Sequence, residues 1–245
     1  MEKLVLAASG LVAALIALVT LAVTACVIVI DDEDHAAAGH AQLTRSHNID
    51  AINRSVRVEA GREVGNIDLI NGSIELGDDS SAGALDSING SIRLGERVTV
   101  RNIDATNGRI RAGAQLTVRG SVDATNGSVW LGAGGNIQGD LDALNGSMEL
   151  HSTRIGGAIK SVNSSLDTGP NSSIVGGIRY RKADGWFNNI GNSKPPRVVI
   201  GPGSKVVGPM QFEREVELWV HESASIGELV GAEARRYAGE RPPNN

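Results

Sequence analysis

Six aspartates recur along the chain at a nearly constant spacing, and carboxylates are the side chains that bind hard cations such as Ca²⁺. They are Asp50, Asp68, Asp86, Asp104, Asp123 and Asp142. A cation of this type needs about six to eight oxygen ligands, which one carboxylate per repeat supplies poorly. The spacing therefore favours a solvated acidic column, with cation binding as the weaker alternative.

Three aromatic side chains are candidates for contact with a partner. Trp130 occupies a position that charged residues such as Arg111 and Glu149 occupy in neighbouring repeats, and Trp186 and Phe187 lie in a segment that interrupts the repeats. Large exposed apolar side chains often mark interaction surfaces. The alternative is that a neighbouring loop covers Trp130 and that the rings of Trp186 and Phe187 fold back on the protein.

Residues for catalysis are sparse. His151 and His221 lie in unrelated repeats, and no Ser/His/Asp set, zinc-binding HExxH or phosphate-binding glycine loop is present in the sequence. The formal net charge is -5 without a polybasic block, which argues against a nucleic-acid partner. We therefore expect neither an enzyme nor a protein with a cofactor.

The N-terminal segment is apolar from Leu4 to Ile30, preceded by Lys3 and followed by an acidic run. A bilayer span needs about 20 apolar residues, and the positive flank stays in the cytoplasm. Three interpretations remain open: a retained membrane anchor, a lipoprotein signal whose lipobox ends at Cys26 (Val23-Thr24-Ala25-Cys26), and a cleaved signal peptide. Each predicts an extracytoplasmic protein, and the first two predict that it is attached to a membrane.

Seven asparagines reveal the internal repeat, which has a short and nearly fixed period of about 18 residues, as solenoids do. They are Asn53, Asn71, Asn89, Asn107, Asn126, Asn145 and Asn163, and their separations differ from one another by at most one position. We expect them to stack as a ladder, each side-chain amide bonding to the next repeat. A glycine follows five of the seven asparagines, and we expect it to need a positive φ.

Each repeat contains short alternating strands separated by turns, such as Ile67-Asp68-Leu69 and Ile74-Glu75-Leu76. Period-two alternation predicts strands, and three strands with three corners in about 18 residues make one turn of a β-helix. The predicted fold is all-β: a single-stranded parallel β-helix, or solenoid, triangular, with about 18–19 residues per coil and right-handed handedness favoured. An N-terminal helix serves as membrane anchor or signal.

The predicted organisation has four parts. Residues 1–30 form the signal peptide or membrane anchor, 31–46 a polar linker, 47–232 the solenoid with an insertion loop at 181–197, and 233–245 a tail. Insertions in solenoids become loops on one side and often carry function.

Two bacterial families resemble these repeats. The unit Ile-Asn-Gly-Ser-Ile-x-Leu, at 70–76 and 88–94, resembles adhesin-type β-strand repeat domains of unknown function, over roughly residues 47–170. The unit apolar-x-Gly-x-apolar, together with Val199-Ile200-Gly201-Pro202-Gly203-Ser204-Lys205-Val206, resembles the polymer-forming bactofilins, over roughly residues 118–230. The resemblance implies an envelope-associated, adhesin-like scaffold or binding protein, or alternatively a self-assembling polymer. Neither family implies catalytic residues.

Overall fold

The computed structural model describes residues 27–30 (backbone only), 47–182 and 194–243. These residues form a parallel β-solenoid of about 10 turns, so the predicted all-β fold is confirmed. Its strands form three stacks, in which each strand pairs with its equivalents in the coils before and after it.

The strands of the first stack are β2 (Ile49–Ile52), β4 (Ile67–Ile70), β6 (Ser81–Asn89), β8 (Thr99–Asn107), β11 (Val122–Leu131), β13 (Leu141–Leu150), β15 (Ile159–Ser161), β18 (Ile178–Tyr180), β21 (Met210–Phe212) and β23 (Leu229–Val230). The stack begins with β2 and β4, and it includes the later halves of β6 and β8 and the earlier halves of β11 and β13. The last four strands continue the stack to its C-terminal end.

The second stack includes the later halves of β11 and β13, and the third stack includes the earlier halves of β6 and β8. The other strands of the second stack are β1 (Val27–Ile30), β3 (Ser55–Val58), β5 (Ile74–Leu76), β7 (Ile92–Leu94), β9 (Ile110–Ala112), β16 (Ser165–Asp167), β19 (Arg197–Ile200), β22 (Glu217–His221) and β24 (Ala234–Tyr237). Those of the third stack are β10 (Thr117–Val118), β12 (Asn136–Ile137), β14 (Arg154–Ile155), β17 (Ser173–Ile174) and β20 (Lys205–Val206).

Alternating burial explains why these short segments are strands. In β4, Ile67 and Leu69 are buried, whereas Asp68 and Ile70 are exposed. Because side chains of a strand point to opposite sides in turn, each coil contributes one layer of aliphatic side chains to a core that runs the length of the solenoid. Ile74, Ile92 and Ile110, one per coil, are all 0% exposed.

The glycines that follow the ladder asparagines are required for a different reason from the one predicted. Positive φ occurs at Asn53 and Asn71, at φ 57° and 61°, but not at Gly72, Gly90 or Gly108. At these three glycines the backbone of the preceding coil occupies the space that a Cβ atom would need. The constraint is therefore the close approach of successive coils, and among the ladder glycines only Gly127 and Gly146 also have positive φ.

The N-terminal apolar segment ends in a strand instead of continuing as one helix to Ile30. The strand β1 pairs in parallel with β3, with Val27 opposite Ser55 and Ile30 opposite Val58. The backbone of these four residues therefore extends the second stack by one strand. Within the described ranges, no helix is long and apolar enough to cross a membrane.

The C-terminal end of the solenoid also lies beyond its predicted boundary. In β24, within the predicted tail, Ala234 pairs with Leu218 and Tyr237 with His221. The solenoid therefore reaches Tyr237 and not only residue 232. Ile178 pairs directly with Met210, and the segment between them is much longer than one regular coil.

Candidate functional site

The seven repeated asparagines lie in one continuous line of side-chain hydrogen bonds. The Nδ2 of each asparagine from Asn71 onward donates to the Oδ1 of the asparagine in the preceding coil. The six distances are 2.8, 2.8, 3.0, 3.0, 3.1 and 2.9 Å along the series Asn53, Asn71, Asn89, Asn107, Asn126, Asn145 and Asn163. This arrangement uses both ends of each interior amide to join coils, so its role is structural.

An arginine closes the C-terminal end of this asparagine ladder. The Nη1 of Arg214 donates to the Oδ1 of Asn163 and, at 2.9 Å, to the backbone oxygen of Val162. The last amide oxygen thus has a charged donor where the repeat supplies no further asparagine. The sequence analysis did not find Arg214, which is far from Asn163 along the chain and belongs to no repeated pattern.

A second line of polar side chains, also missed from the sequence, lies at the corner that precedes the aspartates. Here a side-chain oxygen accepts a hydrogen bond from a backbone N–H of the next coil, at distances of 2.8 to 3.2 Å. The acceptors are Asn48, Asn66, Asn102, Ser121 and Asp140. Their periodic spacing was a usable signal, but the residue type changes, which hid the pattern.

The six predicted aspartates form a single column on the outer side of the first stack. Each pairs in register with the next: Asp50, Asp68, Asp86, Asp104, Asp123 and Asp142. The column then changes sign, because Asp142 pairs with Lys160 and Lys160 pairs with Arg179. The Nζ of Lys160 lies 2.5 Å from Asp140 Oδ2 and 3.6 Å from Asp142 Oδ2.

The pKa values of the column follow from this crowding. Burial, and then the hydrogen bond and charge of Asp68, raise the pKa of Asp86 to about 6. Burial likewise raises the pKa of Asp123 and of Asp142, with Lys160 acting in the opposite direction. At the basic end, the hydrogen bond from Lys160 lowers the pKa of Asp140.

The acidic column does not have the arrangement of a metal site. Among the residues that the structure describes, no three His, Cys, Asp or Glu side chains are grouped so as to hold a metal ion. The carboxylates stand in one line, so each neighbour lies above or below and not around a common centre.

Trp130 lies on the outer side of the second stack and is half-buried by its own neighbours. The Arg111 Cζ lies 4.1 Å from the centre of the Trp130 ring, and the His151 ring centre is 5.4 Å away. The Nε2 of His151 is 3.1 Å from Glu149 Oε1. Among the described residues, the side chains of Arg111 and His151 partly cover the tryptophan.

Aromatic residues that the sequence analysis had not singled out pack near the C-terminal end. Tyr180 is fully buried in the core, its ring centre 5.5 Å from that of Phe212. On the outer side, Trp219 and Tyr237 are buried against each other and against Val199. The tail passes over this side, because Arg197 Nη2 donates to the Pro243 oxygen at 2.8 Å.

Three predicted site residues, Cys26, Trp186 and Phe187, lie outside the described residues. No family model matches the chain, and neither a curated protein nor a solved structure is significantly similar to it.

Proposed function

We propose that this protein is a non-catalytic rod that serves as a scaffold or binding module outside the cytoplasm, attached to a membrane by its N-terminal segment. The observation that carries the proposal is the uninterrupted stacking of parallel coils from β2 to β24. A stack of about ten coils at about 4.8 Å per coil is roughly 50 Å long. A rod of this kind holds its surface side chains at fixed distances, which suits a scaffold or a binding module.

The roles of the polar side chains support a scaffold. The asparagine ladder, the corner acceptors and the Arg57–Glu75 ion pair at 2.7 Å all link one coil to the next. An acid–base constellation for catalysis would need convergent groups in a cleft. In the described part of the chain, the six column aspartates instead stand in one line on the outer surface.

The apolar segment from Leu4 and its charged flanks support attachment to a membrane. Fractionation of cells that express the full chain tests attachment, with labelled fatty acid distinguishing a lipid on Cys26 from a retained span. For a lipoprotein, Cys26→Ala abolishes labelling. For a retained span, recovery is unchanged. Recovery in the cytoplasmic fraction would contradict the proposal.

The rod itself is tested by electron microscopy and analytical ultracentrifugation of residues 36–245, with the full chain in detergent as the reference. We expect discrete particles about 50 Å long that do not change on dilution. Long unbranched filaments would instead establish self-assembly as the function.

Self-assembly is the second candidate because, among the described strands, those at each end of the stack have one edge without a paired strand. Of the described strands, β2 pairs only with β4, and β23 pairs only with β21. Unpaired edges offer backbone groups to another chain. If filaments form, Val230→Lys, which places a charge on the exposed terminal edge, should suppress them, whereas Val207→Lys on an equally exposed interior coil should not.

A further inference from the structure

The outer side of the first stack carries an apolar column beside its acidic column. Ile52, Ile70, Ile88 and Leu144 are 64%, 40%, 45% and 40% exposed, and they are four of the six large exposed hydrophobic residues in the described ranges. Each follows a column aspartate by two positions, so both point to the same side of the sheet. Ile52 lies opposite Ile70 in register, so the apolar side chains also stack coil on coil.

The two columns coincide over the first three coils, and the acidic column continues into the fourth. We call this surface the acidic–apolar face and define it by Asp50, Asp68, Asp86 and Asp104 with Ile52, Ile70 and Ile88. Exposed aliphatic side chains in a contiguous line are unusual on a monomeric surface and typically mark a contact site.

In the described part of the chain, cations of the protein itself do little to neutralise this face. Lys160 and Arg179 lie at the other end of the column, beyond Asp142. Arg101 is the cation whose charge acts on Asp86, but its guanidinium donates to Asn66 Oδ1 at 3.2 Å and not to the column. The face therefore combines apolar side chains with a row of carboxylates that favours an external positive charge.

A second copy of the chain is a poor occupant. If two copies pack antiparallel so that isoleucines meet isoleucines, aspartates meet aspartates. If they pack parallel about a two-fold axis along the rod, carboxylates meet isoleucines. Like charges brought together, or carboxylates desolvated by aliphatic groups, both oppose association.

The spacing of the face favours a helix as the occupant. Coils recur about every 4.8 Å, and a helix presents equivalent side chains about every 5.4 Å per turn, so four coils and four turns differ by only about 2 Å. A strand laid along the rod presents same-side residues about every 6.8 Å and loses register by about 6 Å over the same distance.

We propose that the acidic–apolar face is a docking surface for a cationic amphipathic helix of a partner protein, with lysines or arginines over Asp50 to Asp104 and aliphatic residues over Ile52 to Ile88. This proposal deepens the proposed function and rests on it. The helix would lie along the rod and span about four coils.

The test measures how tightly a fluorescent helical peptide binds to the full chain in detergent. The peptide has about four to five turns, and its lysines and leucines form two adjacent lines along the helix. A peptide of the same composition in scrambled order is the first control. Two double variants remove one column each: Asp68→Asn with Asp86→Asn, and Ile52→Ser with Ile70→Ser. A third, Glu75→Gln with Glu149→Gln, makes the same charge change on the second stack.

We expect each face variant to weaken binding by about tenfold or more, and the control variant to leave it within about twofold. Circular dichroism of every variant checks that the rod is intact, which separates loss of this surface from failure of the scaffold itself. Equal binding of the scrambled peptide, or equal loss in the Glu75 and Glu149 variant, would overturn the proposal. So would an oligomer of the wild type that the isoleucine variant dissociates, because a second copy would then occupy the face.

Discussion

The coils up to Asn163 and the coils after it have the same parallel backbone, but different side chains hold them together. In the N-terminal coils, exposed amides such as Asn89 and Asn107 bond to their own equivalents in the next coil, around a core of Val, Ile and Leu. In the C-terminal coils, buried hydroxyls and aromatic rings take their place.

The hydroxyls of the C-terminal coils bond mainly to the backbone. Ser172 Oγ donates to the Thr168 oxygen at 2.6 Å, and Ser204 Oγ donates to the Gly169 oxygen at 2.9 Å. All three hydroxyl side chains are buried. A buried hydroxyl is tolerated when it is hydrogen-bonded, and here the partner is a nearby carbonyl instead of a copy of itself.

This difference explains why the asparagine repeat is present in the N-terminal coils and absent from the described C-terminal coils. An amide that bonds to its own equivalent requires the same residue in every coil, so Asn-Gly recurs. A hydroxyl that bonds to a backbone carbonyl places no demand on the neighbouring coil. Regularity of the sequence therefore reports which partner the side chains use, and not the regularity of the backbone.

The largest effect is expected from Gly108→Ala in the N-terminal coils. A Cβ atom at Gly108 would collide with the backbone oxygen of Gly90 in the preceding coil, and backbone cannot move aside without breaking the stack. We expect a loss of about 3 kcal/mol or more in the free energy of unfolding, as for overpacked cores. Denaturation by urea, followed by circular dichroism, measures it.

The matched control is Gly61→Ala. Gly61 has a φ of 74°, and nothing lies within 4 Å of a Cβ atom built there. Only the left-handed backbone is then strained, at about 1 kcal/mol. Similar losses for both variants would show that the coils at Gly108 can separate without cost.

The next effect belongs to the C-terminal coils. Tyr180→Phe removes the hydroxyl that donates to the Ser164 oxygen at 2.7 Å and leaves that carbonyl without this partner inside the core. We expect the free energy of unfolding to decrease by about 1–2 kcal/mol. Tyr237→Phe is the comparison. The Tyr237 hydroxyl donates to the Ile200 oxygen at the longer distance of 3.4 Å, so this variant should lose less stability. An equal loss would contradict a special role for the buried tyrosine.

The sequence was sufficient to predict the solenoid, the aspartate column and the spacing of the asparagines, because each depends on one residue type at one interval. The sequence was not sufficient to predict contacts between residues that do not recur at a fixed interval. Arg214 bonds to Asn163 and Arg197 to Pro243, and neither pair has a periodic signature. The strand Val27–Ile30 was missed for a related reason: its apolar residues also suit a membrane span, and its partner, β3, begins only at Ser55, further along the chain than one regular coil.

A smaller effect is expected from Asn107→Ala, in the middle of the asparagine ladder. The variant loses the bond that Asn107 donates to Asn89 and the one it accepts from Asn126, both 3.0 Å long. Because water replaces part of both bonds on this exposed corner, we expect a loss of about 1 kcal/mol. Thermal unfolding provides the measurement.

The variant Asn107→Asp distinguishes the contribution of the amide hydrogen bonds from the contribution of side-chain shape. An aspartate of the same size still accepts from Asn126 but cannot donate to Asn89, and its charge faces the Asn89 oxygen. It should destabilise at least as much as alanine does. If Asn107→Asp leaves the stability of the protein unchanged, then packing, and not the amide hydrogen bond, stabilises this corner.

The smallest effect concerns Asp86 in the acidic column and Asp140 beside Lys160 at the basic end, which should respond to pH in opposite directions. The pKa of Asp86 is raised to about 6, mainly by burial, above its ordinary value of 3.8. The folded protein therefore binds more protons than the unfolded chain between about pH 6 and pH 4, and stability rises as the pH falls through this window. The pKa of Asp140 is lowered by Lys160, so its contribution is present above about pH 4 and is lost on further acidification.

The melting temperature of the wild type should therefore increase modestly from pH 7 to pH 5 and decrease below pH 4. Asp86→Asn should reduce the increase without abolishing it, because burial also raises the pKa of Asp123 and Asp142. Asp140→Asn should keep the increase but lose part of the decrease, since the neutral amide no longer attracts Lys160 at any pH. If Asp86→Asn leaves the increase unchanged, the acidic column is already relaxed in solution, and its carboxylates do not repel one another enough to favour a cationic partner.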